Sequence, residues 1–186
     1  MANGRVIKSM FSAIDRFVKG YIVVQSDHSY IHDGIGFTAI SALGSISSAT
    51  YIGFETPTVA SGKFIHWRPT GLTSSANYVQ VTLYEGDTYT GGTSVAPINR
   101  NRNLSTNHVS DMQEYKYGVT SSPSGTIIEN FGVGSTGSPN ARSGGAGSSN
   151  EELVLKPNTK YVMKLDPAGA TTVTVKDFWY EEASGI

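Results

Sequence analysis

The 186-residue chain contains no cysteine. That excludes disulfide scaffolds, thiolate nucleophiles and cysteine-based zinc sites. Charge is also scarce: Asp, Glu, Lys and Arg make up 16% of the chain, against about a quarter in an ordinary globular protein. Fourteen basic residues face fifteen acidic ones, a net charge of −1. A nucleic-acid-coating protein needs a basic excess to neutralise phosphates, so the balance argues against such a partner. No apolar run approaches the roughly 18 residues of a membrane span. The opening stretch MANGRVIKSMFSAIDRFVKG has no uninterrupted apolar core of signal-peptide length. A soluble, unprocessed chain without a membrane partner is the expectation.

Ser, Thr, Gly and Asn fill the space that charge leaves, a composition suited to β-strands joined by turns. The length suits one domain and is enough to bury a real core. One helix is predicted, over residues 5–19. Val6, Ile7, Met10, Phe11, Ile14, Phe17 and Val18 recur at helical spacing, with Arg5, Lys8, Ser12, Asp15, Arg16 and Lys19 between them. Asn3 would cap its start, and Lys19-Gly20 suits its end. Such a cationic amphipath either packs on its own domain, stays an arm, or docks on a partner protein. Residues 1–20 are therefore set apart from a domain over 21–186.

After Gly20 the pattern turns to short strands. Residues 21–25, 37–40, 51–54, 63–67, 78–84, 126–131, 152–155, 160–165 and 171–180 each read as extended and are bounded by turn residues. The clearest is 78–84, where Val79, Val81 and Leu83 alternate with Tyr78, Gln80, Thr82 and Tyr84. Tyr161, Met163 and Leu165 alternate likewise, as do Val173 and Val175. Eight or nine short strands with frequent turns predict an all-β single sandwich, jelly-roll-like, behind a short N-terminal helix or arm. Residues 132–150, GVGSTGSPNARSGGAGSSN, offer too few apolar side chains for a packed core. They read as a loop within the domain, either a mobile surface loop or a segment that orders against a neighbouring subunit.

Catalytic patterns are sparse. His28 and His32 are four apart, but Asp27-His28-Ser29 and Asp33-Gly34 read as turn sequence, so a shared helical face is not expected. On a strand the two would stand about 13 Å apart, too far to share a metal. His66, in Lys63-Phe64-Ile65-His66-Trp67, reads as a half-buried strand residue, and His108 as exposed. No G-x-S-x-G elbow or P-loop lysine is present. Glu151-Glu152 and Glu181-Glu182 are adjacent, so on strands each pair splits between opposite faces. The expectation is a protein that is not an enzyme and carries no metal or cofactor.

Asn99-Arg100-Asn101-Arg102-Asn103 is the most distinctive run. If extended, Arg100 and Arg102 share one side and the asparagines the other. Paired guanidiniums would suit carboxylates or backbone carbonyls across an interface; the alternative is a solvated loop with incidental charge. Trp67, Tyr78, Tyr84, Trp179 and Tyr180 could serve as stacking platforms for a glycan, although aromatics on strands more often pack a core.

Several pieces, in order, resemble small structural proteins of tailed-bacteriophage particles. Ser29-Tyr30-Ile31-His32-Asp33-Gly34 with Phe37-Thr38 is similar to an early element of that family, and Glu55-Thr56-Pro57 with Phe64-Ile65-His66 to a second. Leu83-Tyr84-Glu85-Gly86-Asp87-Thr88, Gly92-Thr93 and the Asn99–Arg102 alternation resemble a third. The stretch from Glu152 through Lys156-Pro157-Asn158-Thr159-Lys160-Tyr161 resembles a fourth, and Trp179-Tyr180-Glu181-Glu182 the closing one. The resemblance spans residues 25–182. It implies a virion protein made in the host cytoplasm: a decoration or cement protein on the outer head shell, bound to the major capsid protein. A homo-oligomer, by analogy a trimer, goes with it. The alternative is a glycan- or receptor-binding module of a tail fibre or spike. The partner-binding candidates are Val6, Met10, Phe11, Ile14 and Phe17 on the arm, with Arg100, Arg102 and Arg142.

Overall fold

The computed structural model describes residues 26–74, 76–103, 108–134, 142–145 and 152–183. The expected helix over 5–19 and the strand over 21–25 lie outside them. One short helix, α1 (Ser26–His32), leads into twelve strands: β1 (Gly36–Ile46), β2 (Thr50–Glu55), β3 (Lys63–Ser74), β4 (Val79–Glu85), β5 (Thr90–Ser94), β6 (Ile98–Asn99), β7 (Glu114–Thr120), β8 (Thr126–Val133), β9 (Arg142–Gly145), β10 (Leu153–Leu155), β11 (Lys160–Pro167) and β12 (Thr171–Ala183). The first sheet has the order β10-β3-β12-β1-β6, with β9 also on β3, and the second β5-β7-β2-β11-β4-β8. Every pairing is antiparallel. The two sheets pack face to face as an all-β sandwich, as the strand patterning predicts.

Alternation decides which side chains meet between the sheets. On β4, Val79, Val81 and Leu83 point inward, and on β11 so do Tyr161, Met163 and Leu165. β12 sends in Val173, Val175, Asp177, Trp179 and Glu181, two of them acids. An aromatic row crosses the interior. Tyr161 stacks on Phe54 (5.3 Å), Phe54 on Tyr115 (6.0 Å), and Tyr115 on Trp179 (6.2 Å) of the opposite sheet. Phe37 continues the row beyond Trp179, also at 6.2 Å. Stacks of this kind add about 0.5–1.5 kcal/mol each beyond the area they bury.

The row passes directly beside a buried acid. The Tyr115 hydroxyl donates to the Asp177 carboxylate, joining β7 to β12 across the core. Burial first, and the Asp177 charge second, push the Tyr115 phenol well above its ordinary value, so it remains a donor. Glu181 accepts from the Asp111 backbone N–H (2.9 Å), Trp179 Nε1 (3.2 Å) and the Ser110 hydroxyl. It thereby pins the stretch before β7 to β12. On the far face of the second sheet, Tyr89 lies over Gly53, where a Cβ would meet its ring at 2.7 Å. Val119 and Val162 complete that small cluster.

Two expectations are corrected. Residues 26–32 form a helix where the sequence reads as turn. Seven residues are too few for a helix to stand alone, and packing supplies the difference: Tyr30 stacks on Tyr180 at 3.8 Å. Gly34, at φ 73°, closes the end and donates to the Ile31 carbonyl. The 132–150 segment is not wholly loop. Gly132 and Val133 finish β8, and Arg142–Gly145 form β9 against β3, with Gly71 opposite Gly145. Backbone pairing of this kind needs no apolar side chain, so composition conceals it.

Tyr115→Phe removes a donor from a buried carboxylate. It is expected to lower stability by about 1–3 kcal/mol in urea titrations, whereas Val154→Ala, on an exposed side chain, changes it by less than about 0.5 kcal/mol.

Candidate interaction surface

The outer face of the first sheet gathers most of the unusual chemistry. Alternation puts Phe178 and Tyr180 of β12 outward, beside His66 and Arg68 of β3: Phe178 pairs with Arg68, and Tyr180 with His66. Tyr180 is covered by Tyr30 from α1 and by the His66 ring, whose centroid lies 4.5 Å away.

Glu152, just before β10, organises this cluster. It accepts from the Tyr180 hydroxyl at 2.6 Å and meets His66 Nδ1 at 2.7 Å. Arg68 approaches its second oxygen with Nε and Nη2, both at 3.3 Å. His66 Nε2 faces Glu182 at 3.5 Å. Partial burial acts to raise the Glu152 carboxyl, but the hydrogen bonds from Tyr180 and His66 and the neighbouring charges outweigh it and hold the group below its ordinary value. Burial first, then Glu152, raises the Tyr180 phenol far above its ordinary range, which keeps it a donor.

The Asn-Arg run borders the same face. Only Ile98–Asn99 is strand; a turn follows. The alternation read from sequence nevertheless persists. Asn99 Nδ2 donates to the Gly34 carbonyl (2.7 Å) and Asn101 Nδ2 to the His32 carbonyl (3.0 Å), while Arg100 and Arg102 are exposed. The Arg100 guanidinium lies 4.4 Å from the Phe178 ring centroid, and that of Arg68 lies 5.8 Å from it.

Of the partner-binding candidates, Val6, Met10, Phe11, Ile14 and Phe17 lie outside the described residues. Arg100 joins the cluster. Arg102 is exposed on the turn beyond it, and Arg142 opens β9 opposite Ser74, remote in sequence pairing from both. Trp67 and Trp179 are core residues, and Tyr180 is roofed, so none of the three is an open platform. Glu181 points inward and Glu182 outward, as adjacency on a strand requires. His108 is exposed and His66 half-buried on its strand, as expected. Glu152 and Tyr180 are marked in the sequence only as parts of separate motif pieces, and nothing in the sequence joins them to each other or to Phe178. Among the described residues no group of three His, Asp or Glu side chains is placed to hold a metal, and no described helix is long and apolar enough to cross a membrane.

Comparison with protein-family models, with curated proteins and with solved structures finds no match to this chain. The surface must be interpreted from its own chemistry.

The depressed Glu152 carboxyl has a pH signature. A lowered folded-state value contributes stability above the unfolded value of about 4.3 and loses it as pH falls through the folded one. Wild type is expected to exceed Glu152→Gln in melting temperature at neutral pH, and the gap to close on acidification from about pH 5 to about pH 2. A gap that stays constant over that range would refute the assignment.

Proposed function

We propose that the chain is a non-enzymatic structural protein of a tailed-bacteriophage particle, a decoration or cement protein that binds the outer head shell and stabilises it. The observation that supports this reading is that motif pieces scattered along the sequence meet in pairs. The Thr56 hydroxyl donates to the Lys156 carbonyl (2.7 Å) and accepts from the Thr159 N–H (3.0 Å), and the Asn158 N–H donates to the Pro57 carbonyl (2.7 Å). The second and fourth elements of the resemblance thus form one corner, where Asn158 takes φ 49°. The first and third meet through Asn99 and Asn101 on the 32–34 turn. Residues that hold turns together in this way are those a shared fold would retain.

Jelly-roll connectivity belongs to the same proposal. Successive strands β1 to β4 alternate between sheets, and β11 and β12 insert between β2 and β4 and between β1 and β3. That order suits two interleaved four-stranded sheets with added strands at the margins. The shell-facing contacts fall to the N-terminal arm and to the Arg100–Arg102 border, with the major capsid protein as partner and a homo-oligomer as the bound form.

Two measurements test the proposal. The purified protein is expected to bind cognate mature capsids and to raise the temperature at which they rupture; no binding to any cognate particle overturns it. Deleting residues 1–20 is expected to abolish capsid binding while leaving the β-domain folded by circular dichroism, and full retained affinity refutes the role of the arm.

A further inference from the structure

Among the described residues the lysines are nearly all ion-paired, with one local exception. Every other described lysine has a carboxylate within 3.6 Å, but Lys176 has none. Arg68 is held by Glu152, whereas Arg100 and Arg102 have no carboxylate partner among the described residues. The three uncompensated cations fall at one end of the first sheet. Lys176 pairs across the strands with Ile40 on β1, and Arg100 and Arg102 follow β6 directly. Net charge over the whole chain is only −1, so this is a local excess of cations, with Asp33 on the 32–34 turn the acid at the same end, rather than general basicity.

The same end has an open backbone. β6 pairs with β1 only at Phe37 and Thr38, although β1 continues to Ile46. The direction of the free groups follows from two hydrogen bonds. The Gly36 carbonyl accepts from Arg100 N on the β6 side, and the Ile35 carbonyl accepts from Glu181 N on the β12 side. In an antiparallel ladder these directions alternate residue by residue. The N–H and C=O groups of Ile40 and Ala42 therefore point away from β12, to an edge that no described strand covers. Ile40 is 47% exposed and Ile98 41% exposed beside that edge. Natural edges are commonly blunted by proline or an inward charge. Here proline stands at position 97, before β6, and a register shift follows Ala42, so the open edge is the short stretch 40–42, which itself has neither proline nor an inward charge.

We propose that this edge of β1 accepts an extended acidic segment of another protein as an added strand. Backbone groups of Ile40 and Ala42 supply the ladder, Ile40 and Ile98 the apolar contact, and Lys176 with Arg100 the charge selection. The Arg100 guanidinium rests 4.4 Å from the Phe178 ring centroid and has no carboxylate partner among the described residues, so its donors can take one. The inference names a partner chemistry for the structural role proposed above but does not require that the partner be a phage shell.

The test uses the full chain and a blocked peptide of alternating Glu and Val, with the same peptide carrying Lys for Glu and an oligo-dT strand as comparisons. The acidic peptide is expected to bind at least tenfold more tightly than the Lys peptide, with amide shifts concentrated at 38–42 and 98–102. Arg100→Glu with Lys176→Glu, both exposed positions, is expected to reverse that preference without altering the melting temperature appreciably. Ala42→Pro, which removes an outward N–H, is expected to abolish binding. Equal affinity for both peptides, no binding of either, oligo-dT binding at the same residues, or shifts at 40–42 that depend only on protein concentration would each overturn the proposal. The last two would assign the edge to phosphate or to a second copy instead. Peptide binding that survives a failure to bind capsids would retain this inference and retire the phage reading alone.

Discussion

The hydrogen bond from Tyr115 to Asp177 is the constraint around which the sandwich is arranged. A carboxylate buried without a donor costs far more than one hydrogen bond returns. Asp177 sits at full burial on the central strand of the first sheet, so the opposite sheet must bring a donor to it. β7 does so through Tyr115, and the ring that carries the hydroxyl stacks with Phe54 and Trp179. One side chain therefore ties the two sheets together through both a polar and an aromatic contact. Glu181 repeats the device four residues later with the Asp111 backbone N–H and the Ser110 hydroxyl. A slip of β12 by one residue would turn both acids to the solvent face and bring Phe178 and Tyr180 inward, so polar pairing and apolar alternation specify the same register.

The parts of this fold legible in the sequence are those where local pattern and burial agree. On β4 and β11 the inward residues are every second residue, and the periodicity alone identifies them. Val162 is the instructive exception: it is fully buried on the opposite face, because Tyr89 covers it from outside. Helix α1 was not legible, because its stability resides in Tyr180, 150 positions downstream of Tyr30. β9 and the second half of β3 were not legible either, since a Gly/Ser/Thr run pairs through its backbone without displaying an alternation.

The interaction surface divides in the same way. The outward set of Arg100 and Arg102 and the inward set of Asn99 and Asn101 follow from simple alternation, and they hold even though the chain turns after Asn99. What the run does could not be read so directly. Its asparagines fasten the 32–34 turn, and its first arginine rests on an aromatic ring from the last strand. The Glu152 hub was invisible for a plain reason. Its partners His66, Arg68 and Tyr180 are 86, 84 and 28 residues away, and no local pattern connects them.

Tyr89 laid across Gly53 carries a consequence for how the molecule sits among others. Its ring lies over the middle of one broad side, while the opposite broad side carries Arg100 and Lys176, which have no carboxylate partner among the described residues. The protein is thus a plate with unlike faces. Whatever meets one broad side therefore meets a different chemistry from whatever meets the other. A substitution at Gly53 that displaced the tyrosine would uncover Val162 and erase that distinction.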